Sequence, residues 1–210
     1  LLFLFFNCIY IGPIMAADTS YDNIYYDVPT GKAQYIRGIT FNNDGTKMFI
    51  TGGKVAQFTL STGFDLSSTI GTSLDSFNAG SAPQDIRFNN DGTKMFLAPH
   101  GSGDLRQYSL STAFDVTTAS SDNVDYDLPN RNDTNPGSVG LAFNSDGTKM
   151  FTTDSANGGE IDEYSLSTGF DITTISHETS LNISTNTATP KSIAFSSDGT
   201  TMFILDGNNQ

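Results

Sequence analysis

Apolar and polar residues alternate along this chain in short runs separated by small polar clusters. Residues 84–88 read Gln-Asp-Ile-Arg-Phe, and the cluster Asn89-Asn-Asp-Gly92 follows. Thr93-Lys-Met-Phe-Leu97 is the next apolar run, and after a Gly-containing stretch comes Leu105-Arg-Gln-Tyr-Ser-Leu110. A fourth run lies near residues 124–128. Period-two alternation in segments of this length predicts β-strands, and Asn, Asp and Gly between them tolerate the positive φ of tight hairpin turns. The unit is therefore expected to be four short strands in one antiparallel sheet. No stretch after the N-terminal segment carries a helical period.

The unit recurs. Phe41-Asn-Asn-Asp-Gly-Thr-Lys-Met-Phe49 returns at 88–96, at 143–151 (Asn-Ser-Asp-Gly) and at 195–203 (Ser-Ser-Asp-Gly), so the steps are 47, 55 and 52 residues. The third strand repeats as Gln57-Phe-Thr-Leu60, Gln107-Tyr-Ser-Leu110 and Glu163-Tyr-Ser-Leu166, each followed by Ser-Thr-(Gly/Ala)-Phe-Asp. One such sheet cannot cover both of its faces. Ranged radially, neighbouring copies bury each other's apolar sides, which predicts an all-β β-propeller of four-stranded blades. These lines resemble the WD40-like and YVTN-type propeller repeats of bacterial and phage surface proteins. The resemblance covers residues 24–210 and implies the fold; no functional residue carries over, because the Trp-Asp and Gly-His pairs of WD40 blades are absent and the chain has no Trp.

Copies begin near residues 36, 85, 139 and 192. Three are expected to be full blades, over about 36–77, 85–128 and 139–183, and the last supplies strands near 192–195 and 202–205. Residues 24–28 resemble an isolated fourth strand. The expectation is three full blades with partial blades at both ends, the C-terminus truncated and the full ring within the usual range of about four to eight blades. The propeller domain is read as 18–210. Residues 1–17 combine the apolar run Leu1–Ile11, the breakers Gly12 and Pro13, and Met15-Ala-Ala17. That is the form of a secretory signal, and a secreted or cell-surface location is expected. The run is too short for a membrane span.

Charge narrows the function. Asp and Glu number 23 against 10 Lys and Arg, a net charge of -13, and only Glu160, Glu163 and Glu178 are glutamates. An acidic chain without clustered cations is not expected to bind nucleic acid. Cys8 is the only cysteine, so no disulfide forms within the chain. Asp44, Gly45, Asp91, Gly92, Asp146, Gly147, Asp198 and Gly199 sit in turns that barely change between copies and are read as structural. The connections from strand two to three and from strand four to the next blade vary, and in an up-and-down sheet both emerge at one end. Variable loops on a rigid scaffold are where binding groups belong. The candidates there are Lys54, His100, Asp104, Arg131, Asp133, Asp154 and Asn157.

No catalytic motif is present. The two histidines, His100 and His177, have no repeat-spaced partner, and no Gly-x-Ser-x-Gly elbow occurs. No cofactor or metal is expected. Calcium is the weaker alternative, since Asp and Asn oxygens are abundant but lack the spacing of a twelve-residue calcium loop. The leading expectation is a binding module for a glycan, a surface protein or a second copy. The alternatives are a lactonase-like or glycan-active propeller with a metal in its channel, and an architectural fibre or adhesin segment.

Overall fold

The computed structural model describes residues 2–6, 35–68, 75–80, 82–98, 104–128, 139–155 and 158–207. Strand β1 (Leu2–Phe6) lies inside the run read as an export signal. The first blade is β2 (Ile39–Phe41), β3 (Lys47–Thr51), β4 (Val55–Thr59) and β5 (Asp75–Phe77); the second is β6 (Asp85–Phe88), β7 (Lys94–Ala98), β8 (Leu105–Leu110) and β9 (Ala119–Tyr126). The third is β10 (Leu141–Phe143), β11 (Lys149–Asp154), β12 (Glu160–Leu166) and β13 (Ile175–Asn182), and the fourth holds β14 (Pro190–Phe195) and β15 (Thr201–Asp206). Within each blade the strands follow one another as an antiparallel meander, and β1 pairs in parallel with the free edge of β15. This is the expected all-β propeller, three blades complete and the fourth partial. The strand-like residues 24–28 lie outside the described residues. Among the described residues there is no α-helix, and no helix is long and apolar enough to cross a membrane.

The fourth strands start earlier than the alternation suggests. Asp115 and Asp171 each accept a hydrogen bond from the N–H two residues on, at 3.0 Å, and cap three-residue 3-10 turns from which β9 and β13 leave at once. These outermost strands face solvent along one side, so their polar openings, Ala-Ser-Ser-Asp and Ile-Ser-His-Glu, carry little apolar signal.

The core lies between blades. Phe49 of the first blade stacks on Phe88 of the second at 4.6 Å between ring centroids, Phe96 on Phe143 at 4.8 Å and Phe151 on Phe195 at 4.7 Å. Polar bonds run the same way. Lys47 Nζ donates to the Phe114 carbonyl (2.8 Å) and Lys94 Nζ to the Phe170 carbonyl (3.0 Å). Asn43 Nδ2 donates to the Asn90 carbonyl, and Asn90 Nδ2 to the Ser145 carbonyl. Gln57 and Gln107 accept from the Val116 and Ile172 amides of the next blade, each at 3.0 Å. At the corresponding places in the third blade, Lys149 and Glu163 bond each other instead, at 2.7 Å.

The invariant turns are self-satisfied. Asp44 Oδ1 accepts from the Thr46 amide (2.9 Å) and hydroxyl (2.6 Å), and Asn42 Oδ1 accepts from the Lys47 amide. The second and third copies repeat these bonds. Gly92, at φ +73°, shows why the turn needs glycine: it occupies the left-handed region, and a Cβ there would run into the Phe114 ring. Phe114 is itself left-handed, at φ 54°, which turns its ring back over the hairpin.

These bonds predict an acid dependence. The Thr46, Thr93 and Thr148 hydroxyls and amides hold Asp44, Asp91 and Asp146 below the ordinary carboxylate range; the Ser196 hydroxyl, with Thr200, takes Asp198 to about 2. A carboxyl depressed on folding contributes stability that is complete above its unfolded value near 3.8 and is lost as pH falls through its folded value. The melting temperature is therefore expected to hold near about pH 5 and to fall on acidification from about pH 4 towards 2. An unchanged melting temperature over that window contradicts the assignment.

Candidate binding site

The turn between strands one and two and the connection between strands three and four meet at one end, where the Phe64 amide donates to the Gly45 carbonyl at 3.0 Å. The other end of the sheets carries the connections that vary. Of the seven residues assigned there from sequence, His100, Arg131, Asp133 and Asn157 lie outside the described residues. Lys54 stands exposed in the bend between β3 and β4, and Asp104 sits half-buried just before β8. Asp154 is not a loop residue: it ends β11 and is buried, 3% exposed, because β12 pairs back across it.

Register joins a further residue to this group. Val55, Leu105 and Ile161 take the same place in the three third strands, opposite Phe77, Tyr126 and Leu181. They are 0%, 0% and 4% exposed. The residues immediately before them are Lys54, Asp104 and Glu160. Glu160, half-buried, pairs in register with Asp154 and lies near Asp162; burial first, then those two charges, raise its carboxyl above the ordinary range. The signal was legible, since aligning the copies on Phe58, Tyr108 and Tyr164 puts Lys54, Asp104 and Glu160 in one column.

The third blade also brings together Asp162, His177 and Ser180. His177 Nε2 is 3.3 Å from Asp162 Oδ1 and 3.1 Å from Ser180 Oγ, and Ser180 Oγ donates to the same carboxylate oxygen at 2.5 Å. A nucleophilic triad needs the two ring nitrogens divided, one towards the acid and one towards the hydroxyl. Here one nitrogen faces both, and the serine is already committed to the aspartate, so the group is a polar brace between β12 and β13. Among the described residues no three His, Cys, Asp or Glu side chains converge in a way that could hold a metal ion.

A cleft of about 680 Å³ runs along the innermost strands, and its lining includes Arg87, Phe88, Ala142, Phe143 and Ala194. Arg87 departs from its repeat position, held elsewhere by Thr40, Ala142 and Ala194. It bonds Asp85 Oδ1 and the Ile86 carbonyl, both at 2.7 Å. Asp85 is 5% exposed, and its other oxygen accepts from the Leu141 amide of the third blade at 3.0 Å. Burial pushes its carboxyl up despite the adjacent guanidinium. Sequence reading missed this pair, although Asp85 stands where the other copies have Gly38, Gly140 and Ser192.

No family model and no curated protein matches the chain. Solved structures do. A candidate 6-phosphogluconolactonase from Bacteroides uniformis superposes with a TM-score of 0.55 at 14% identity, over 81% of this chain and 47% of that one. The periplasmic gluconolactonase of Pseudomonas aeruginosa gives 0.55 at 15% identity, over 80% and 46%. A chain of the nidogen–laminin complex gives 0.55 at 12% identity, over 81% and 56%. The chain spans about half the length of these proteins, and at such identities the likeness concerns fold alone: it is a β-propeller, of a kind found both in proteins named as lactonases and in one solved in complex with a partner.

Proposed function

We propose that this chain is the blade array of a secreted or surface-exposed binding module. Its contact surface is the end carrying the variable connections, and its ligand is a glycan or a surface protein. The observation that carries this reading is the column Lys54, Asp104 and Glu160. The residues next to it stay apolar and buried from blade to blade, while the group at the rim changes charge. A constant scaffold with changing head groups is the chemistry of recognition. The apolar run and Ala16-Ala17 at the N-terminus support export.

A glycan array and a cell-surface binding assay test the proposal. Lys54→Glu and Glu160→Lys are expected to weaken a captured ligand by roughly tenfold or more, the scale of one charge-assisted hydrogen bond, with unchanged melting temperature. A ligand indifferent to both variants places the site elsewhere. The cleft beside Arg87 favours a second reading, a lactonase-like enzyme, and the same preparations separate the two. Gluconolactone hydrolysis that disappears in Arg87→Ala favours the enzyme, and its absence in the unaltered chain favours binding.

A further inference from the structure

Three polar groups without donors stand in a column on β12. Glu160, Asp162 and Tyr164 alternate along the strand, so all three face the second blade, where Tyr164 shares a cluster with Phe96 and Leu105. Asp162 is 3% exposed; its Oδ1 takes the contacts from Ser180 and His177, and its Oδ2 has no hydrogen-bond partner among the described residues. Tyr164 is 0% exposed, and its hydroxyl is unbonded, although the Thr152 hydroxyl stands near it. Burial, then the charge of Asp162, holds the proton on that hydroxyl above the ordinary range, which sets the phenol oxygen beside the carboxylate. Glu160, half-buried at the rim, forms no hydrogen bond among the described residues.

The column is particular to the third blade. Asp162 lies opposite Thr152, where the first blade has Ala56 opposite Ile50 and the second has Arg106 opposite Leu97. Asp154 lies opposite Glu160, and like charges facing each other across two strands repel. The second blade packs on this face with Ala98, Leu105, Leu128 and Tyr126, none of them cationic. Among the described residues, His177 is the basic group in contact with the column, and it meets Oδ1. Acids in a group are ordinarily a solvated surface. Here the Tyr164 hydroxyl and Asp162 Oδ2 are polar atoms of buried side chains that lack a partner, a state costly to leave unrelieved.

We propose that this column receives the ammonium group of a lysine side chain from a protein partner, bonded between Glu160 and Asp162 Oδ2, with its methylene stem along the Tyr126 ring. The inference deepens the binding-module reading and rests on it, naming the chemistry met at the Glu160 rim. An ammonium has three donors and no acceptor, which suits carboxylate oxygens that only accept. It bonds oxygens at about 2.7–2.9 Å, longer than metal–oxygen bonds, so acids that do not converge on a metal ion can still share it. A slim unbranched stem reaches a carboxylate 3% exposed between blades, and the ring of an amino sugar does not. The net charge of -13 draws a basic partner towards the protein.

Titration of the full chain with n-butylammonium chloride, followed by amide NMR shifts, tests it. Saturable shifts are expected at Glu160, Asp162 and Ser180, with a dissociation constant on the order of millimolar, and none with n-butanol. Glu160→Gln, at a position with no hydrogen bond of its own, should weaken binding roughly tenfold with an unchanged melting temperature. Asp162→Asn should weaken it as much; should that variant lose its fold with the Ser180 brace, Glu160→Gln alone decides. No saturation, an equal response to n-butanol, or a Glu160→Gln variant that binds as well overturns the inference. Glucosamine bound more tightly than butylammonium overturns the choice of lysine. A captured ligand that lacks an amine, weakens with Lys54→Glu and ignores Glu160→Gln overturns the inference and leaves the binding module standing. Butylammonium bound by a chain that captures no partner supports the ammonium seat and fails the module reading instead.

Discussion

Phe96→Ala is expected to lower the unfolding free energy by roughly 3–5 kcal/mol, as for other fully buried aromatic truncations. For a chain of this length the melting temperature should fall on the order of 10 °C. Phe96 is 0% exposed and stacks on Phe143 across the joint between the second and third blades, with Phe170, itself stacked on Phe143, 6.4 Å away. Leu105, Leu141 and Met150 share the same cluster and leave the cavity little room to collapse. Denaturant unfolding checks the value. A loss below about 1 kcal/mol, the scale of a surface change, would mean that the joint between blades is not where stability resides.

Asp85→Ala is expected to cost about 3 kcal/mol, the lower end of the range for removing one member of a buried pair, because Arg87 retains some access to water. The carboxylate joins three donors, the Arg87 guanidinium and the Ile86 and Leu141 amides, and the last belongs to the next blade. The other blades solve the same junction differently. Gly38 and Gly140 donate their amides to the Thr51 and Thr153 hydroxyls at 2.9 and 2.7 Å. A Cβ on Gly140 would press on the backbone of Ser192 in the following blade. The second blade has Ala98 where the threonine would be. Recasting it with Asp85→Gly, Arg87→Ala and Ala98→Thr together should recover most of what the single substitution loses, a coupling that a thermal melt of all variants resolves. If the triple variant is no better than Asp85→Ala, the two junctions are not equivalent.

Much of this architecture was readable in advance because repetition amplifies weak signals. One Asn-Asn-Asp-Gly-Thr segment suggests a hairpin; several at steps of 47 to 55 residues, each followed by the same Lys-Met-Phe or Thr-Met-Phe, specify a radial array. The reason for the Phe of Ser-Thr-Gly-Phe-Asp was not readable. Only the fold shows that it is left-handed and lies on the glycine of the preceding hairpin, a contact between segments far apart in sequence. Of the candidate residues, Lys54 and Asp104 lie between the second and third strands, where the sequence placed them. Asp154 looked like a loop residue because Thr153-Asp-Ser-Ala-Asn-Gly-Gly159 is polar throughout, yet backbone pairing with β12 carries the strand through it. Asp85 and Arg87 were passed over because alternating charged residues on a strand ordinarily face water, and here the neighbouring blade covers the aspartate.

The bonds that Lys47, Lys94, Asn43 and Asn90 send forward all end on main-chain carbonyls. A carbonyl is offered by any residue, so these four bonds ask of the successor only a backbone shape, and the side-chain demand of a seam falls on its stacked phenylalanines. Duplicating or deleting one unit in the gene therefore leaves the seams on both sides serviceable.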